Sequence, residues 1–184
     1  MSLAKTKCVF LDRDGVLNVD RPNYVYNLDD LVIPKGVAEA LQLLKKAGYL
    51  LIVITNQAGI AKGLYSAEHV LAIHEQMQRA SGGMLDALYF APFHPDFTGN
   101  SLSRKPDSLM IEKAIAKYNI DPDQSWMIGD HFRDMQAGRK AGVKTIHIIS
   151  GRKTSEEDYT AADLLQAAHL ILNNKDQAFS ETEG

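Results

Sequence analysis

Cys8-Val9-Phe10-Leu11-Asp12-Arg13-Asp14-Gly15-Val16-Leu17-Asn18 runs from an unbroken apolar tetrad straight into two acids separated by one residue. A short apolar run closed by a turn signal reads as a strand buried on both faces, the kind found in parallel sheets. Asp12 and Asp14 then stand at the strand's carboxyl end, where open α/β sheets bind their ligands. Leu50-Leu51-Ile52-Val53-Ile54, Trp126-Met127-Ile128 and Thr145-Ile146-His147-Ile148-Ile149 have the same character. A shorter strand is expected around Leu88 to Phe90. Between the strands, Val37, Leu41 and Leu44 recur at helical spacing up to Gly48, the place of a helix C-terminal glycine. Helices are also expected over 66–80, 109–118 and 134–141. Ser66 suits an N-cap with Glu68 in the first turn, but His69 occupies the position where a capping box needs Glu or Gln, so a full box is not expected.

Alternating strands and helices predict an α/β fold, a three-layer Rossmann-like domain whose mainly parallel sheet is covered on both faces. With 184 residues and 45% hydrophobic content, the chain suffices for one substantial core and is short for two. The expected division is a single domain over 1–172 and a flexible, polar tail over 173–184. A net charge of −3 supplies no basic excess for a polyanion, so nucleic acid is not an expected partner. The one cysteine, Cys8, permits no intramolecular disulfide and reads as a small buried strand residue. No stretch approaches the ~20 apolar residues of a membrane span, and Met1 to Lys7 lacks the apolar core of a secretory signal. The expected location is cytoplasmic, with no membrane partner; the sequence leaves the oligomeric state open.

The acids at the strand end have two readings. An isolated Asp-x-Asp-Gly is commonly a turn in which side chains bond local amides and glycine relaxes the backbone. The chemical reading makes Asp12 a nucleophile toward phosphorus and Asp14 the general acid and base that protonates the leaving oxygen and later activates water. A carboxylate approaching a phosphate needs a hard cation to screen it, and Mg²⁺ with oxygen ligands suits that task. Asp130 follows the strand Trp126-Met127-Ile128 and supplies a further acid, with Asp134 four residues on; Asp134 alternatively favours the positive end of the next helix. Thr55 ends the second strand and can donate its hydroxyl to a phosphate oxygen, or merely cap the following turn. Lys105, within Arg104-Lys105-Pro106, can neutralise phosphoryl oxygens in the transition state, although a basic pair is usually a solvated surface feature. The joint appearance of acid pair, hydroxyl, lysine and distal acid favours chemistry over coincidence.

These residues resemble the four motifs of the haloacid dehalogenase-like phosphohydrolases over about residues 7 to 150: Asp12 with Asp14, Thr55, Lys105, and Asp130 with Asp134. The resemblance implies a phosphatase that holds Mg²⁺ through Asp12, the main-chain carbonyl of Asp14 and Asp130. Asp134 is then a ligand or an orienter of Lys105. Thr55-Asn56-Gln57-Ala58-Gly59-Ile60-Ala61-Lys62-Gly63, Arg104-Lys105-Pro106 and Asp134-Met135-Gln136-Ala137-Gly138 narrow the likeness. They are similar to the D-glycero-D-manno-heptose 1,7-bisphosphate phosphatases and their histidinol-phosphate phosphatase relatives. Many members of that branch carry a Cys-x-His and Cys-x-Cys zinc loop before Arg-Lys-Pro. Here those positions are Ala91, Phe93, Ser101 and Ser103, so no zinc is expected. Packing of Phe93, Pro95 and Phe97 is expected to hold the loop instead, and His94 and His131 are not expected to be catalytic.

The intervals between motifs leave no room for a separate cap domain, so the site is expected to be open and walled by loops at 20–30, 58–65 and 91–103. Arg104 is expected to grip an anionic group distant from the reacting phosphate, with Asn18, Asn56 and Gln57 reading hydroxyls. Heptose bisphosphate is the leading substrate, and histidinol phosphate the runner-up. Removal of a 3′-phosphate from nucleic acid and a non-catalytic phospholigand-binding module are the further alternatives.

Overall fold

The computed structural model describes residues 4–149 and 158–180, with only the backbone of 175–180. Six strands, β1 (Cys8–Leu11), β2 (Leu50–Asn56), β3 (Ala87–Ala91), β4 (Trp126–Gly129), β5 (Lys144–Ile148) and β6 (Tyr159–Ala161), form one parallel sheet in the order β3-β2-β1-β4-β5-β6. Helices α1 (Val37–Lys46), α2 (Ala67–Ala80), α3 (Pro95–Thr98), α4 (Leu109–Tyr118), α5 (Phe132–Lys140) and α6 (Leu164–Ser180) complete the fold. The expected three-layer arrangement is present.

Strand alternation builds the layers. Val9 and Leu11 of β1 face a core shared with Leu41 and Leu44 of α1, Ile73 of α2 and Ala168 of α6. Cys8 and Phe10 face the opposite core, with Ile111 and Ala114 of α4 and Ala137 of α5. Period-two alternation therefore serves both sides of the sheet, and an apolar residue is needed at every position. Gly48 ends α1 with φ of 83°, and Tyr49 N donates to Leu44 O at 3.1 Å, the paired return bonds that close a helix on a left-handed residue.

The chain order reverses at β1, where one neighbour is β2 and the other β4. Connections leave this point in opposite directions and open a crevice above the two strand ends. Leu11 pairs with Ile128, so the residues that follow β1 and β4 emerge side by side. Asp12 N donates to Ile128 O at 2.9 Å and continues the ladder one residue past the strand. Among the described residues, loops at 12–36, 57–66 and 92–108 stand over this edge, the last containing α3, and no further layer covers them. No helix among the described residues is long and apolar enough to cross a membrane.

Several local expectations are corrected. His69 does close a capping box, because Ser66 N donates to its Nδ1 at 3.2 Å; an imidazole nitrogen supplies the acceptor that Glu or Gln would. Helix α5 begins two residues before Asp134, at Phe132. Strand β6 and helix α6 lie beyond the five recognised strands, and α6 continues to Ser180, across the boundary drawn between 172 and 173. Of the expected tail, 181–184 lie outside the described residues.

Ser125 ties the start of β1 to β4. Its buried hydroxyl accepts from Cys8 N at 2.9 Å and donates to Asp121 O at 2.6 Å. Ser125→Ala leaves a buried backbone N–H without that partner, and urea denaturation is expected to show a loss of about 1–3 kcal/mol; an unchanged midpoint would contradict this role.

Candidate active site

Four ionisable side chains meet above the crevice. Lys105 is buried, and its Nζ lies 2.9 Å from Asp12 Oδ1, 2.7 Å from Asp134 Oδ1 and 2.8 Å from the carbonyl of Ile54, to which it donates. Asp12, Asp130 and Asp134 each bring a carboxylate oxygen within 4.8 Å of the others. Burial, then the charges of Asp134 and Asp130, push the Asp12 carboxyl up to about 8 against the opposing pull of Lys105. Asp130 is raised too, by burial and by Asp134 and Asp20, with His131 opposing. For Lys105, burial favours the neutral amine, but Asp12 and Asp134 outweigh it and raise the ammonium's pKa.

Two glycines permit this crowding. Gly15 holds φ at 82°, and a Cβ there would lie 2.1 Å from Asp130 Oδ2. A Cβ on Gly129 would lie 2.2 Å from that of Asp134, so only glycine lets the first turn of α5 press against the end of β4. In that turn His131 N donates to Asp134 Oδ2 at 3.0 Å. Both oxygens of Asp134 are thereby engaged, which favours the orienter over the ligand among its two expected roles.

Asp130 fits a cation. Its side chain is 12% exposed, and its Oδ1 is buried with no hydrogen-bond partner. A buried carboxylate oxygen without a donor, beside two more acids, is a ready oxygen ligand for a hard divalent ion. Asp12 and Asp130 could hold such an ion between them.

Asp14 is partly exposed and clamped from two sides. Arg13, fully buried, donates from Nη2 to Asp14 Oδ1 at 2.9 Å and to the carbonyl of Val25 at 2.8 Å. Asn18 Nδ2 reaches Asp14 Oδ1 at 3.0 Å, and Gln57 Nε2 reaches Oδ2 at 3.1 Å. Gln57 also donates to Thr55 Oγ1 at 2.9 Å, leaving the threonine's own proton to offer. Asn56 pins the lysine segment, accepting from Lys105 N and donating to Lys105 O, both at 3.0 Å.

The expected catalytic and metal residues Asp12, Asp14, Thr55, Lys105, Asp130 and Asp134 thus come together. Asn18, Asn56 and Gln57, expected as hydroxyl readers, hold Asp14 and the Lys105 backbone instead; Asn18 and Gln57 are buried. Their amides stabilise charged or backbone groups that would otherwise be left unpaired. Arg104 donates from Nη1 to Phe93 O at 3.0 Å, tying its segment to the 91–103 loop. Burial and nearby Arg133 lower its pKa. In that loop Phe97 is 59% exposed, contrary to the expected packing role, because its ring sits edge-on to His94, at 5.2 Å, outside the core. His94 caps α3, its Nδ1 accepting from Asp96 N at 3.2 Å. Sequence reading missed Arg13 and Tyr65, whose hydroxyl donates to Gln57 Oε1 at 2.7 Å. Arg13 had a signal: a cation between two acids at a buried strand end needs a partner.

The sheet, switch point and acid–lysine cluster define a haloacid dehalogenase-like phosphohydrolase. A family model described as HAD-hydrolase-like matches residues 102–174. The D-glycero-beta-D-manno-heptose-1,7-bisphosphate 7-phosphatase of Haemophilus ducreyi is 40% identical over 168 residues, covering 86% of this chain and 92% of that protein. That of Pasteurella multocida is 41% identical over 159 residues, covering 83% and 86%. The crystal structure of the D,D-heptose 1,7-bisphosphate phosphatase from B. bronchiseptica, complexed with magnesium and phosphate, superposes with a TM-score of 0.82 at 29% identity, covering 92% of this chain and 99% of that one. The chain belongs to the D-glycero-D-manno-heptose 1,7-bisphosphate phosphatase family, and it is a phosphatase.

The acid cluster makes metal-free stability depend on pH. Asp12 binds its proton more tightly folded than at its ordinary value of 3.8, so this contribution is complete below that pH and lost as pH rises to about 8. Denaturation midpoints in chelator are expected to fall across that window, and Asp12→Asn to flatten the fall. A midpoint that rises with pH equally in both proteins would contradict the coupling.

Proposed function

We propose that the chain removes a phosphate from D-glycero-D-manno-heptose 1,7-bisphosphate, at the 7-position named for its relatives, by way of an aspartyl-phosphate on Asp12. The observation that carries the chemistry is the Lys105 ammonium held between Asp12 and Asp134, with Asp130 beside them. The substrate rests on the 40% identity to the Haemophilus ducreyi enzyme.

A carboxylate oxygen of Asp12 attacks phosphorus, and an O–P bond forms as the bond from phosphorus to the sugar oxygen breaks. Asp14 gives its proton to the departing oxygen. Water then attacks the phosphorus of the aspartyl-phosphate while Asp14 takes a proton from it, releasing inorganic phosphate and restoring Asp12. Lys105 and the Thr55 hydroxyl neutralise the phosphoryl oxygens, and Asp134 keeps Lys105 in place. Mg²⁺, held by Asp12, Asp130 and the main-chain carbonyl of Asp14, would screen the repulsion between the attacking carboxylate and the phosphate. Arg104 and Arg133 make no ion pair among the described residues, and a distal phosphate of the substrate would satisfy them.

Phosphate release from heptose bisphosphate, histidinol phosphate and a 3′-phosphorylated oligonucleotide, with Mg²⁺ or chelator, tests the assignment. Heptose bisphosphate is expected to turn over fastest and only with the metal. Preference for either other substrate would overturn the substrate assignment, and no turnover of any would leave a binding module. Asp12→Asn is expected to lower turnover by roughly a thousandfold or more while the protein stays folded.

A further inference from the structure

Asp14 lies at the end of a hydrogen-bond chain that reaches back into the loop between β2 and α2. Tyr65 OH donates to Gln57 Oε1 at 2.7 Å, and Gln57 Nε2 donates to Asp14 Oδ2 at 3.1 Å. Tyr65 and Gln57 are both buried. A primary amide can face either way, but Oε1 turned toward Asp14 would set two acceptors against each other. The tyrosine hydroxyl decides the orientation by offering its proton to Oε1. Burial pushes the phenol up to about 12, so the proton remains there at any working pH.

The ring that carries this hydroxyl is itself fixed. A Cβ on Gly59 would lie 2.0 Å from it, so the loop closes on Tyr65 only because residue 59 has no side chain. Tyr26 stacks on it at 5.1 Å and Tyr24 meets it edge-on at 5.8 Å. These contacts tie the loops at 12–36 and 57–66 to one phenol.

We infer that Tyr65 is a positioning residue for proton transfer: through Gln57 it holds the Asp14 carboxyl where it delivers its proton to the leaving oxygen. The inference rests on Asp14 as the general acid. It makes the cost of losing the hydroxyl depend on the leaving group. A sugar alkoxide needs the proton as the P–O bond breaks, whereas p-nitrophenolate departs without it.

Tyr65→Phe keeps the ring and removes the hydroxyl. With saturating Mg²⁺, kcat/KM, which reports the transfer to Asp12 and not the later hydrolysis that both substrates share, is expected to fall about tenfold on a sugar phosphate and less than about twofold on p-nitrophenyl phosphate. Gln57→Glu accepts from Tyr65 but presents no donor to Asp14, and is expected to show the same selectivity. Equal losses on both substrates, or none, in both folded variants would overturn the relay. Asp14→Asn, run alongside, separates the two assignments. A selective loss there without one in the Tyr65 and Gln57 variants removes only the relay, and no selective loss there removes the general acid and the relay together.

Discussion

The ammonium of Lys105, held between the carboxylates of Asp12 and Asp134 and away from water, is the contact on which the arrangement of the site depends. Each buried charge costs several kcal/mol in lost hydration, and such a pair repays the cost only with close geometry and further hydrogen bonds. Both are present: contacts of 2.7 and 2.9 Å, and a third bond from the ammonium to Ile54 O. Removing one partner would leave an uncompensated charge, typically about 3–5 kcal/mol destabilising. With all groups ionised, three carboxylates against one ammonium leave two negative charges, which a divalent cation balances. Burial, and then the negative charges of Asp134 and Asp130, raise Asp12 in the free protein, and the same excess charge makes the site receptive to metal.

The topology of the sheet brings these groups together. Parallel pairing sends every strand end to one edge, and reversal of strand order at β1 sets Asp12 beside the end of β4. Gly15 and Gly129 remove the two Cβ atoms that would hold the strand ends and α5 apart. Asn56 transmits the position of β2 to Lys105 through its side-chain amide, which donates to Lys105 O and accepts from Lys105 N. What the sheet supplies is placement; the chemistry lies in a few side chains at its rim.

The sheet was readable because Cys8 to Leu11 and Leu50 to Ile54 are apolar without interruption, which only doubly covered strands require. Asp12, Asp14 and Asp130 were readable because acids at strand ends need a chemical reason. Tyr159–Ala161 was not, since three residues are too few to show a period. The buried Leu164, Ala167, Ala168 and Ile171 do show helical spacing, yet they fall after the last recognised motif. Asn18, Asn56 and Gln57 misled for a physical reason: an amide serves a substrate hydroxyl or a protein carboxylate equally well, and only burial and partners tell the two apart. His69 shows the same ambiguity, acting as a cap acceptor where chain chemistry suggested none.

The loop at 91–103 sits where many members of the family carry zinc ligands, and Arg104 joins it to the lysine segment through Phe93 O. In the proposed reaction the phosphoryl transfer itself goes through Asp12. The most direct measurement of that transfer is rapid acid quenching during turnover, borohydride reduction and peptide mass spectrometry. Reduction of an aspartyl-phosphate is expected to leave homoserine at position 12. Homoserine at another aspartate, or at none while phosphate is being released, would contradict Asp12 as the nucleophile.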